Sequence, residues 1–166
     1  DTDVSFLSKN LNTIAKKISS LRYGFKYNNL SAGSKIDDSS MFANFTDIVA
    51  YLPRAIQVGF LAPFPSSWTK KGFQVGRMGA ILAGLETMVW YIILSGFIYV
   101  LYKKPSLTLP LIPVFLISTM VIILMAYAIP NIGAIYRMRQ PYMIPFYMFG
   151  IYGLSLIYCS INKKNM

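Results

Sequence analysis

Apolar positions fall into two regimes along this chain. From Val4 to Arg22, residues Leu7, Leu11, Ile14, Ile18 and Leu21 recur at spacings of four, three, four and three, with Lys9, Lys16 and Lys17 elsewhere on the wheel. That spacing predicts an amphipathic helix, with Asp3 or Ser5 as its cap and Gly24 as its stop. Its lysines exclude a transmembrane span, and two readings stay open: a helix packed on a larger protein, or one lying in the headgroup region. After position 77 the period is lost and the chain becomes continuously apolar. Helices are predicted over 78–102, closed by Lys103-Lys104-Pro105; over 107–129, with Pro110 and Pro113 in the first turns and Pro130 at the end; and over 142–161, closed by Lys163 and Lys164. Each is long enough to cross a hydrocarbon core of about 30 Å.

Between the two regimes, residues 23–47 are rich in Ser, Asn, Gly and Asp and read as a loop. Ile48 to Ala62 is apolar apart from Arg54 and Gln57, and its fifteen residues are too few to span. A short re-entrant or interfacial helix starting near Pro53 is predicted, because proline is tolerated in a first turn. Pro63 and Pro65 then end it, leaving Phe64 and Trp68 as interfacial aromatic anchors. The expected architecture is an all-α integral membrane protein: an amphipathic, interfacial segment with a loop over 1–77, three transmembrane helices over 78–161 and a basic tail over 162–166.

Composition agrees, with 55% hydrophobic and only 13% charged residues, against about a quarter charged in soluble domains. The 16 Lys and Arg outnumber 6 Asp and Glu, yet no nucleic-acid motif accompanies that surplus. Cations flanking apolar spans meet anionic headgroups, so membrane lipids are expected partners and nucleic acid is not. With no histidine and one cysteine, Cys159, inside an apolar run, zinc sites, Ser-His-Asp triads and internal disulfides fall away. Cys159 reads as packing, and no metal or cofactor is expected.

Three spans put the N-terminal segment and the 130–141 connection on one side, and the 103–106 turn and tail on the other. Lys70, Lys71, Arg77, Arg137 and Arg139 oppose Lys103, Lys104, Lys163 and Lys164, too even a division to orient the chain. The five aspartates of the N-terminal segment favour a cytoplasmic C-terminus. The start at Asp1-Thr2-Asp3, lacking a basic and apolar leader, reads as a processed or partial chain.

Glu86 is the one acidic residue after position 47. A carboxylate inside a membrane helix is costly and points either to ligand or proton handling or to a structural arginine partner such as Arg77 or Arg137. Arg137 and Arg139 lie between two apolar helices. With Arg54 and Arg77 they make a candidate phosphate or lipid-headgroup pocket, since a guanidinium donates paired hydrogen bonds and stays charged; ordinary snorkelling anchors are the alternative. Tyr23, Tyr27, Tyr51, Tyr136, Tyr142 and Tyr147 read as interfacial anchors, and Gly76, Gly79, Gly84, Gly150 and Gly153 as small faces for helix approach.

At Arg22-Tyr23-Gly24-Phe25, Ala32-Gly33-Ser34-Lys35-Ile36-Asp37, Tyr51-Leu52-Pro53-Arg54-Ala55-Ile56-Gln57, Ala62-Pro63-Phe64-Pro65 and Asn131-Ile132-Gly133-Ala134-Ile135-Tyr136-Arg137-Met138-Arg139, the chain resembles the C-terminal part of bacterial polytopic inner-membrane proteins of the glycosyltransferase-like (GT-C) or cell-surface polysaccharide type. The resemblance implies handling of polyprenyl-phosphate-linked sugars in the bacterial inner (cytoplasmic) membrane, with Arg54, Arg77, Arg137 and Arg139 as candidates for the carrier phosphate. The acidic residues such enzymes use would lie upstream of Asp1. The chain alone is therefore not expected to be catalytic, and an upstream part of the same protein or other membrane subunits are expected partners. The alternative is a non-catalytic accessory subunit that docks on and stabilises a larger membrane complex.

Overall fold

In the computed structural model, which describes residues 2–29, 33–69 and 76–164, the amphipathic segment forms α1 (Thr2–Asn28). The helix runs through Gly24 although glycine costs about 1 kcal/mol in a helix interior. Its last turn is held by tertiary contacts: Phe25 packs on the core and Lys26 pairs with Asp38 at 3.2 Å. The buried edge also differs from the expected stripe. Ala15, Ser19 and Arg22 are buried, whereas Ile14 is 48% and Leu21 64% exposed. Polar side chains won the inner edge because they have partners there. Ser19 Oγ exchanges hydrogen bonds of 2.7 Å with the Phe42 backbone, and Arg22 reaches three carbonyls.

The next helix, α2 (Phe45–Leu61), begins eight residues before Pro53. What starts it is the Asp47 carboxylate, which accepts from the Ala43 and Asn44 N–H groups at 2.8 and 3.0 Å and closes the first turn. Pro53 lies inside the helix, on an exposed position where its missing N–H is tolerated. Tyr127 Oη donates to the Ile48 carbonyl at 2.6 Å, and Gly59 abuts Ile122. The helix thus covers eleven residues while moving only five along its neighbour. It crosses that neighbour obliquely instead of running the length of the bundle.

Three helical stretches, Gly76–Lys103, Pro105–Ala128 and Gln140–Lys163, are long and apolar enough to cross a membrane. They comprise α3 (Gly76–Lys103); α4 (Pro105–Thr108), continued through a tight turn at Leu109–Leu111 into α5 (Ile112–Ala128); and α7 (Gln140–Lys164). A short α6 (Ile132–Met138) precedes α7. The chain is an all-α membrane protein, with no strands among the described residues.

The contacts of α3 and α7 advance together, Trp90 with Tyr147 and Gly96 with Gly150 and Gly153, so the two helices run parallel. Gly96, Gly150 and Gly153 bring the backbones together at that crossing, which is how small residues pack helices without a hydrophobic drive. Gly84 instead receives the Trp68 ring. An aromatic cluster of Phe97, Phe115, Phe146 and Phe149 ties α5 to this pair. Cys159 is exposed on α7 and is not packed.

The 33–44 loop is pinned to the α5–α6 corner. Ile36 N donates to the Pro130 carbonyl at 3.1 Å and Ile132 N to the Ser34 carbonyl at 3.0 Å. Asn131 caps α6 by accepting from Ala134 N at 3.2 Å, which makes part of the expected connection helical. Lys70 and Lys71 lie outside the described residues, as does the end of the basic tail at 165–166.

Candidate functional site

A helix that stops inside a protein leaves its last four carbonyls without partners. For α2 the deficit is enforced by sequence, because Pro63 and Pro65 have no N–H for the carbonyls of Gly59 and Leu61. All four end carbonyls are taken by side chains from elsewhere in the fold. Arg139 donates to Gly59 at 2.6 Å and to Ala62 at 2.5 Å, Trp90 Nε1 to Phe60 at 2.8 Å and Tyr91 Oη to Leu61 at 2.7 Å. Arg139 is 2% exposed. Burial pushes its pKa down to about 10, still well above neutral pH, so the clamp is a cation at a helix C-terminus.

The end of α5 repeats the device. Pro130 cannot donate to the Ala126 carbonyl, and Arg22 Nη1 bonds the Ala126 and Tyr127 carbonyls at 3.3 and 2.9 Å. Its Nη2 bonds the Asp37 carbonyl at 2.7 Å, and its guanidinium lies over the Phe42 and Tyr51 rings.

Arg54 is also committed. Its Nε and Nη2 bond the Asp37 carboxylate at 2.8 and 3.2 Å, its Nη1 bonds Gln57 at 2.6 Å, and it stacks on Phe64. Tyr51 Oη donates to the same carboxylate at 2.9 Å. For Asp37, burial acts to raise the pKa, but the hydrogen bonds from Arg54 and Tyr51 and the charges of Arg54 and Arg22 outweigh it, holding the carboxyl below its ordinary value. Burial, with the bond to Asp37, pushes the Tyr51 phenol up to about 12. The expected anchors turn inward: Phe64 lies under Arg54, and Trp68 Nε1 donates to the Pro63 carbonyl at 2.8 Å with its ring on Gly84. Arg77 is exposed in the first turn of α3 and has no ion pair among the described residues.

Arg137 and Glu86 meet in one place. A groove of about 710 Å³ runs between α3 and the α6–α7 corner, lined by Leu85, Glu86, Val89, Trp90 and Ile93 on one wall and by Tyr136, Arg137, Gln140 and Tyr147 on the other. Glu86, Val89, Trp90 and Ile93 share a helix face at i, i+3, i+4 and i+7.

Because Trp90 stacks edge-on against Tyr147 at 5.3 Å, depth along the parallel helices can be counted at 1.5 Å per residue. Gln140 lies about 10 Å above that pair, Glu86 about 6 Å above it, and Ile93 below it. The groove is therefore polar and charged at its mouth and apolar at its floor. Both Glu86 and Arg137 are exposed, and neither forms an ion pair among the described residues. Tyr147 Oη donates to Gln140 Oε1 at 3.3 Å, while the Tyr136 hydroxyl is buried with no hydrogen-bond partner.

Of the five site residues with charge expected from sequence, the fold brings Arg137 and Glu86 together, encloses Arg139 as the clamp behind them, pairs Arg54 with Asp37 elsewhere and leaves Arg77 apart. Sequence reasoning missed Arg22, Trp90 and Tyr91. The signal for all three was the proline after each helix end, which marks carbonyls that some donor must satisfy. No protein-family model, no curated protein and no solved structure matches this chain, so the chemistry of the groove is read from its own side chains.

Proposed function

We propose that this chain is the membrane-embedded C-terminal part of a protein that handles polyprenyl-phosphate-linked sugars in surface glycan assembly in the bacterial inner membrane, and that the groove holds the carrier lipid. The observation that supports this reading is a groove with an exposed guanidinium and an exposed carboxylate at its mouth and an aliphatic side chain at its floor. Arg137 offers paired donors to a phosphate. Glu86 and Gln140 offer acceptors to sugar hydroxyls. Val89 and Ile93 continue toward the hydrocarbon, where a prenyl chain is at home. About 710 Å³ is the size of a small-molecule site; it accommodates a headgroup and the first isoprene units, with the rest of the tail in lipid.

The test is native mass spectrometry of the protein in nanodiscs, titrated with a polyprenyl phosphate and with its sugar-bearing form. A charge-assisted contact contributes about 1.5–3 kcal/mol, so Arg137→Ala weakens binding of both lipids roughly ten- to hundredfold, while Glu86→Gln weakens only the sugar-bearing one. Unchanged affinity in both variants would remove the groove as the site.

A further inference from the structure

The face that α1 and α2 present outward is unexplained by the groove and stands apart from it. On α2, Phe45, Val49, Leu52 and Ile56 recur at spacings of four, three and four and are 37–52% exposed. On α1, Ile14 and Leu21 stand seven residues apart on one line, exposed, with the exposed Lys17 beside them.

Their level is fixed by the clamp on α5. The apolar stretch containing α5 ends at Ala128, and Arg22 of α1 bonds the carbonyls of Ala126 and Tyr127. The start of α2 is tied to Tyr127, and Gly59 near its end lies against Ile122, six residues or about 9 Å from the end of α5. Both helices are thus held where the hydrocarbon of a membrane crossed by α5 gives way to headgroups. Polar residues oppose the apolar lines: Lys16, Ser20 and Tyr23 are exposed on the far side of α1.

We infer that α1 and α2 form a half-inserted platform whose apolar lines, Ile14 and Leu21 on one helix and Phe45, Val49, Leu52 and Ile56 on the other, rest in the headgroup–acyl boundary of the bilayer. Lys17 extends from the edge of that platform to anionic headgroups, its aliphatic stem on lipid and its ammonium in water. The line at the bilayer is then only part of the amphipathic stripe visible in sequence, because Ile18 packs on the protein core and Leu11 is half-buried.

The experiment is power-saturation spin-label spectroscopy on the full chain in phosphatidylglycerol–phosphatidylethanolamine vesicles. Single labels are placed on a Cys159→Ser background at Ile14→Cys, Leu21→Cys, Val49→Cys and Ile56→Cys, with Lys16→Cys, Ser20→Cys and Tyr23→Cys for comparison. All seven positions are exposed, so the labels leave the packing intact. The platform predicts a ratio of oxygen to nickel-chelate accessibility above one at 14, 21, 49 and 56, and below one at 16, 20 and 23. A ratio below one at 14 and 21 overturns it in favour of a water-facing helix. Low accessibility to both reagents overturns it in favour of a covering protein, and spin–spin broadening would identify that protein as a second copy of this chain.

Discussion

Replacing Arg139 by alanine tests whether that residue is a helix clamp or a ligand-binding cation. Its guanidinium is 2% exposed and bonds the Gly59 and Ala62 carbonyls at 2.6 and 2.5 Å. Truncation leaves two buried acceptors without donors, since Pro63 removes the nearest backbone alternative. Each unsatisfied buried acceptor costs about 1–3 kcal/mol, giving about 2–6 kcal/mol for the pair. With Tm moving about 2–4 °C per kcal/mol in a chain of this size, the expected fall is about 5–20 °C, read by near-ultraviolet circular dichroism in a fixed detergent.

Two companions sharpen the comparison. Arg139→Lys keeps a hydrogen-bond donor but has one nitrogen where a fork met two carbonyls, and burial disfavours its charge, so it falls between wild type and alanine. Arg137→Ala is exposed and bonds only the Gly133 carbonyl of its own helix, so its Tm stays within about 2 °C of wild type, as for most surface substitutions. If Arg139→Ala melts with wild type while Arg137→Ala melts early, the assignment of the two arginines is reversed and the clamp argument fails.

The glycine crossing makes a second demand on stability. A Cβ on Gly153 would overlap the Gly96 backbone carbonyl, which no rotamer change relieves. Gly153→Ala therefore separates α3 from α7 and costs about 1–3 kcal/mol, seen as a lower Tm; Gly24→Ala, with open space around its Cβ, leaves Tm equal or higher, and the reverse order would refute the crossing.

Acid should expose Asp37. Its folded pKa is lowered, so its stabilisation is fully present above the ordinary aspartate value of about 3.9 and is lost as pH falls from there through the folded value. Asp37→Asn keeps the carbonyl that holds Arg22 and tolerates the positive φ of 48°. With Arg54 39% exposed, its cost at pH 7 is discounted to roughly 1 kcal/mol. The Tm gap between wild type and Asp37→Asn should hold from pH 7 to about 5 and begin to close by pH 3; a gap that closes above pH 5 contradicts the ion-pair account.

The three long apolar helices were legible because length and continuous hydropathy decide them with no knowledge of neighbours. That α2 is not among the spans was legible for the same reason: the run is too short. Its start was misread because Pro53 looked like a first-turn proline, while the signal that mattered, Asn44 followed three residues later by Asp47, sat in a segment that reads as loop. The inner edge of α1 was hidden for a different reason. Helical periodicity ranks positions by apolarity, and the fold instead buried Ser19, whose partner lies 23 residues away, and Arg22, whose partners lie 15 and more than 100 residues away. For the site, the placing of Glu86 and Arg137 on facing walls of one groove depended on the parallel packing of α3 and α7, which no local pattern encodes.

Two of the five arginines are placed by what a helix end requires. In an apolar setting an orphan carbonyl has no water to turn to, and two helices here end immediately before prolines that deepen the deficit. One donor that spans two carbonyls and stays charged under burial is a guanidinium, because a buried ammonium readily gives up its proton. That chemistry places Arg22 at Ala126 and Tyr127, and Arg139 at Gly59 and Ala62. Arg54 is held by Asp37. Once these three are bound to the protein, Arg137 is the guanidinium on the groove, facing a wall that carries the single carboxylate of the membrane-spanning region. The clamp behind it also fixes its position, since Arg139 ties the α6–α7 corner to the end of α2 two residues away. The charge on the groove therefore sits two residues from a corner held by two buried hydrogen bonds at the end of α2, and on the function proposed above, loosening that clamp in Arg139→Lys should weaken carrier binding even though residue 139 does not line the groove.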